Sequence, residues 1–309
     1  MNLSFDRLRT LVHVQRAGTL AAAARTLGVT PSAVSQQLSA LEREVGGDVL
    51  VRRGRSIELS PLGELLAHGG DRVLAEIERT SAAAERMLDS VNGSYVVAAL
   101  PSVALAIMSE TVRRLGDDAP ELDVTVIDGE ADAAVELLTA QAIDLALVDT
   151  YADEPATIPE GLRATTLGTE PFVVLAPAGA GVGPDPVGLR QLAGLPWVMA
   201  PDAAGCGGAA RRACRQAGFD PVVRWESNDL MVLRESVSAG LGIALLPRLA
   251  VGDPPPGTVV VAVRNRGLRR EIVAITRTAT AERPPERAVL TALATAAAPH
   301  LRRSGTRNR

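Results

Sequence analysis

The chain has 309 residues, 47% of them apolar but only 2% aromatic, so its cores must be built from Ala, Val and Leu rather than from rings. All 32 basic residues are Arg, and against 36 acids they leave a net charge of −4. That balance excludes a uniformly basic nucleic-acid binder, two cysteines exclude a disulfide framework, and the lack of any run of 18 apolar residues excludes a membrane-spanning helix.

The length fits a small domain followed by a larger bilobed one, and the charge is uneven between them. Residues 1–60 hold eight Arg against five acids, whereas residues 91–309 hold 21 Arg against 25 acids, so an acidic chain can still carry a basic patch at one end. In that first segment the spacing predicts a helix over Leu3 to Arg16 with Phe5, Leu8, Leu11 and Val12 on one face, and His13 beside it as a packing residue. Thr19 caps a helix over Leu20 to Leu27, Gly28 ends it, and Thr30-Pro31 opens the next with a capping hydroxyl and a proline at the first helical position. Val34, Leu38, Leu41 and Val45 then share one face of that helix, and Ser32, Ser35, Gln36 and Ser39 share the other. Short hydroxyls and an amide near a helix N-terminus suit a major groove, where Gln can bond adenine bidentately; the plainer reading is a solvated face. Val49 to Val51 and Ser56 to Leu59 flank Arg52-Arg53-Gly54-Arg55, which predicts a small hairpin whose arginines can grip phosphates or enter a minor groove.

From Pro61 to Val91 the residues Leu66, Gly70, Val73, Ile77, Thr80, Ala84, Met87 and Val91 follow alternating four- and three-residue steps. This predicts one long helix with a narrow seam for a partner helix, hence a dimer. After Asn92-Gly93-Ser94 the pattern changes to strands over 95–100, 122–127, 145–148, 172–176, 197–200, 222–225, 243–246, 259–263 and 271–276. Helices are expected over 102–115, 131–141, 209–217, 230–239 and 286–301. Alternation of this kind indicates an α/β domain with largely parallel sheets.

Taken together, the chain resembles the LysR-type transcriptional regulators over essentially its whole length. The resemblance is densest in Phe5, the run Ala21 to Ala24, Leu27, Thr30-Pro31-Ser32-Ala33-Val34-Ser35, Leu41-Glu42, Gly46, Leu50, Arg52 or Arg53, Leu59-Ser60-Pro61 and Gly63. Val51 and Ser60 depart from it, where the family usually has an aromatic residue and a threonine. The resemblance implies a winged helix-turn-helix domain in residues 1–60 that binds double-stranded DNA through Thr30, Pro31, Ser32, Ser35, Gln36, Ser39, Arg52, Arg53 and Arg55. A dimerisation helix follows in 61–91. Residues 92–301 then form a two-lobed α/β effector domain of periplasmic-binding-protein type, with lobe one from 94–165 plus 267–301 and lobe two from 166–266. The Arg-rich tail 302–309 has nothing apolar to bury and is expected to be disordered. Homodimers or homotetramers, and RNA polymerase as a further partner, are also implied. A cytoplasmic location is expected, because Met1 to Leu11 holds no apolar core of a signal peptide.

Pro101-Ser102-Val103 and Gly205-Cys206-Gly207-Gly208 each place a helix N-terminus at a strand end, an arrangement that favours a small anionic effector between the lobes. Ser102 is equally well read as an ordinary helix cap. The resemblance adds Ser102, Val103, Gly129, Ala203, Gly205 and Asn228 as effector contacts. It also raises a redox alternative through Cys206 and Cys214, which are eight residues apart where peroxide-responsive members of the family have nine, with Gly205 where those have His. On one helix, eight residues span ~12 Å, too far for a disulfide, so two structural thiols are the favoured reading. His13, His68 and His300 form no cluster for a metal; no nucleophile elbow or phosphate loop is present, and no cofactor, metal or catalytic residue is expected. A stand-alone solute-binding protein is the rival of another class, and the 90 residues ahead of the α/β pattern argue against it.

Overall fold

The computed structural model describes residues 3–53, 56–88, 90–151, 157–202, 205–265 and 267–302. The first three helices are α1 (Phe5–Ala17), α2 (Leu20–Thr26) and α3 (Pro31–Val45). Thr19 and Thr30 cap as their side chains suggest, accepting from the N–H groups of Ala22 and Ala33 at 3.1 and 3.2 Å. Gly28 and Gly46 adopt the left-handed conformation that ends each helix. Leu11, Val14, Ala23, Ala24, Val34, Leu38 and Leu41 form the core of this domain. Each fully buried Leu or Val contributes about 1.5–3 kcal/mol. Strands β1 (Leu50–Arg53) and β2 (Ser56–Leu59) pair antiparallel from Leu50↔Leu59 to Arg53↔Ser56, forming the wing.

Helix α4 (Pro61–Leu88) stops short of the predicted limit, since Ser90 and Val91 lie outside it. Its seam also divides. Gly70 is buried against α1, where an added Cβ would lie 2.6 Å from Val12 Cγ2 and 2.9 Å from the Leu8 side chain, so the glycine serves close packing of α1 on α4. Val73, Ile77, Thr80 and Ala84 face outward as a partner-seeking stripe requires.

Beyond it lie β3 (Gly93–Ala99), a turn α5 (Pro101–Val103) that runs through a π-helical segment (Ala104–Met108) into α6 (Ser109–Asp118), β4 (Leu122–Asp128), α7 (Ala131–Thr139) and β5 (Leu145–Tyr151). Next come β6 (Leu162–Pro177), β7 (Pro196–Met199), α8 (Gly205–Gln216), β8 (Val222–Glu226), α9 (Leu230–Ser238), β9 (Ala244–Pro247) and α10 (Arg248–Val251). The chain closes with β10 (Thr258–Ala262), β11 (Arg269–Arg277) and α11 (Pro284–Ala297). The sheets are mixed rather than largely parallel: β3 pairs parallel with β4 and β5, but β11 is antiparallel to β5 and β6, and β9 and β10 are antiparallel to β6.

Strand β6 is three times the length suggested by its apolar run, because Gly168 and Pro171 disguise its first half. Up to Pro171 it pairs with β11 in lobe one, and from Phe172 with β9 and β10 in lobe two, so the two lobes share one strand and the change of lobe falls at Pro171 rather than at Thr166. Arg302, expected to open the disordered tail, belongs to the fold instead. Arg302 exchanges backbone hydrogen bonds of 2.8 and 2.9 Å with Thr169, and the missing Cβ of Gly168 gives it room, since a Cβ there would meet Arg302 O at 2.8 Å. Residues 303–309 lie outside the described residues.

Candidate DNA-binding face and interlobe cleft

Burial of Val34, Leu38 and Leu41 turns the other side of α3 to solvent, and Ser32, Ser35, Gln36 and Ser39 are all exposed there. Thr30 is committed to capping, and its hydroxyl also lies 3.0 Å from that of Ser32, while Pro31 occupies the first turn. The helix thus presents three hydroxyls and an amide along one edge, a profile that admits close approach to base edges. Arg52 and Arg53 belong to the backbone of β1, but their side chains, and all of Arg55, lie outside the described residues. His13 is 6% exposed in the core behind α3, with no hydrogen-bond partner at Nδ1. Burial, reinforced by Arg16 and Arg9, lowers its pKa to about 4, so it is a neutral packing residue.

Between the lobes the structure assembles a charged cluster that the sequence did not reveal. Arg270 on β11 is 3% exposed and donates through Nε to Glu170 (2.6 Å), through Nη1 to Asp149 (3.3 Å) and through Nη2 to Ser102 Oγ (2.7 Å). Asp149 also accepts from the Tyr151 hydroxyl at 2.7 Å, and Glu170 from the N–H of Leu249 at 2.6 Å. A buried guanidinium is tolerated here because two carboxylates and a hydroxyl satisfy it. The partners stand 100 to 168 positions from Arg270, so no local spacing could have joined them.

Of the predicted effector contacts, Ser102 and Gly205 meet at this cluster: a Cβ on Gly205 would lie 3.2 Å from the Tyr151 ring and 3.6 Å from Asp149 Oδ1. Ser102 is 4% exposed and is not a helix cap; Leu100 holds that position and the hydroxyl serves Arg270 instead. Val103 does not line the cleft. Its side chain is fully buried in the lobe-one core, and its N–H, expected to be free, donates to Leu100 O at 2.9 Å. Gly129 follows β4, with its N–H donating to Ala99 O at 3.1 Å, and Asn228 is exposed beside the α9 cap Asp229. Ala203 lies outside the described residues. Cys206 and Cys214 sit on the single helix α8, and burial pushes both thiols up to about 11. An intact α8 holds their Cα atoms ~12 Å apart, beyond disulfide reach. Among the described residues no group of three metal-ligating side chains comes together, and no helix is long and apolar enough to cross a membrane.

Two family models match the chain: a bacterial regulatory helix-turn-helix protein of the lysR family over residues 5–64, and a LysR substrate binding domain over residues 89–298. Among curated relatives, the "Probable hydrogen peroxide-inducible genes activator" of Streptomyces viridosporus is 28% identical over 265 residues, covering 80% of this chain and 83% of the relative. The "Transcriptional dual regulator GltC" of Bacillus subtilis is 27% identical over 244 residues, covering 78% of this chain and 80% of that one. Among solved structures, a full-length OxyR variant from Pseudomonas aeruginosa superposes with a TM-score of 0.70 over 96% of this chain and 95% of its own, at 19% identity, which is a likeness of fold.

Proposed function

The chain belongs to the LysR family of bacterial transcriptional regulators, and from that premise we propose that α3 reads an operator through Ser32, Ser35, Gln36 and Ser39 while Arg52, Arg53 and Arg55 of the wing hold backbone or minor groove. The observation that carries this reading is the exposed row of short polar side chains on a capped helix whose other face is fully buried. Phosphate contacts position such a helix and base contacts specify its sequence, so the two residue sets must fail differently. On an operator selected from genomic fragments, Gln36→Ala costs about 1–3 kcal/mol and little on random duplex, whereas Arg53→Ala weakens both and lowers the salt slope by about one unit. Equal losses for Gln36→Ala on the two DNAs would remove it from base reading.

The regulator acts as an oligomer through the outward stripe of α4, as a dimer and, as in the resemblance, a tetramer built from dimers. Its signal is a small, anionic cytoplasmic metabolite held between the lobes at Ser102, Gly129, Gly205 and Asn228, and the domain binds that metabolite without consuming it. Binding changes operator affinity or bending only through a differential affinity for two arrangements of the protein, worth about 1–3 kcal/mol. A thermal-shift screen of metabolites, run beside Ser102→Ala, tests the cleft: hits that stabilise both proteins equally place the ligand elsewhere. The thiol alternative draws no support from α8, where Cys214 is buried, Cys206 is half-buried, and the two stand too far apart on one helix to pair.

A further inference from the structure

Strand β11 carries an arginine near each end, and both are tied into ion pairs. Arg270 faces the interlobe cluster with Ser102, Asp149 and Glu170. Seven residues on, ~23 Å away at strand rise, Arg277 donates to Asp144 Oδ1 at 3.0 Å and to Ile143 O at 2.5 Å, and its Nε lies 3.4 Å from Glu78 Oε1 on the linker helix α4. Strand β5 repeats the arrangement, since Asp144 stands just before it and Asp149 within it, and the regular antiparallel register runs from Arg270↔Tyr151 to Thr276↔Leu145. Two adjacent strands therefore join the cleft to the linker, with an acid–arginine pair at either end.

The contact on α4 is built from more than one side. Gln141, directly after α7, has φ +60, the one non-glycine residue with positive φ among those described. Glycine is the usual occupant of this position, because a Cβ there is strained. What glycine lacks is an amide, and Gln141 Nε2 donates to Glu78 Oε1 at 2.7 Å. On the same face of α4, one heptad back, Asp71 accepts from Arg16 of α1 at 2.7 Å. The linker helix is thus held at Glu78 by the effector domain and at Asp71 by the DNA-binding domain.

We infer that Glu78, Gln141 and Arg277 form a latch through which the β5–β11 pair passes the state of the interlobe cluster to helix α4 and so to the DNA-binding domain. A ligand that engages Ser102, Asp149 or Arg270 loads one end of the β5–β11 pair, whose register is unbroken from Arg270 to Thr276, whereas the β11–β6 pairing shifts between Ile272 and Val273. The inference takes its signal from the effector reading above, but its test needs neither effector nor operator, so the two can fail separately.

The test is hydrogen–deuterium exchange on the full-length protein, comparing wild type, Ser102→Ala, Asp149→Asn, Glu78→Gln and the two double variants. Loosening the cleft end should raise exchange of α4 amides around Leu74 to Ala82 roughly two- to thirtyfold. In the Glu78→Gln background the same cleft substitutions should add nothing further. Unchanged exchange in α4 for both cleft variants overturns the latch, as does an equal rise with and without Glu78. Ser102→Ala removes only one acceptor from Arg270, so it keeps the test decisive if Asp149→Asn does not fold.

Discussion

His13 and Gln36 sit on opposite sides of one small core and respond to different things. His13 has a folded-state pKa of about 4 against an ordinary 6.5, so the unfolded chain takes up its proton first as pH falls. Its contribution to stability is complete above about pH 6.5 and is lost as pH falls toward 4, amounting to about 2 kcal/mol between pH 7 and pH 5. His13→Leu should flatten that part of the acid limb, read from urea midpoints at the two pH values; an unchanged slope would mean the ring is already solvated. Gln36 has no such stability role, since its side chain is exposed, and its substitution should show in operator affinity alone.

At the scale of elements, α4 does two jobs that a single heptad stripe conceals. Gly70 is turned inward on α1, and Val73, Ile77, Thr80 and Ala84 are turned outward, with Ile77 44% exposed in one chain. An exposed branched residue on a narrow stripe is stabilised by a partner helix. Ile77→Asp should therefore shift light scattering to smaller species and weaken operator binding without lowering the melting temperature of the single chain; a wild-type monomer at micromolar concentration would sink the idea. Strand β6 makes the complementary point, because one element belongs to both lobes and its conformation is shared between them.

For the whole molecule, Arg270 is where β5, β6 and β11 and the turn at Ser102 are tied together, and through Glu170 the tie extends to α10 at Leu249. Removing one partner of a buried pair leaves the others uncompensated, so Arg270→Gln should cost about 3–5 kcal/mol in urea unfolding. Arg270→Gln with Glu170→Gln should recover part of that loss, and a double variant no better than the single one would assign the cost to packing. The sequence by itself determined what periodicity and local chemistry can determine: the capped helices of the DNA-binding domain, the polar face of α3, the wing, the linker helix and the order of strands and helices after it. These follow from contacts within a few residues, where side-chain type and backbone preference act together. Tertiary structure alone decided that Val103 is core and Ser102 serves an arginine, that Gly70 is a packing glycine, that β6 joins the lobes and Arg302 is pinned beside it. It also decided that Arg270 and Arg277 tie one strand to the cleft and to the linker. Those ties join residues 78 with 277, 102 with 270 and 169 with 302, and only chain closure brings such positions within hydrogen-bond or ion-pair distance.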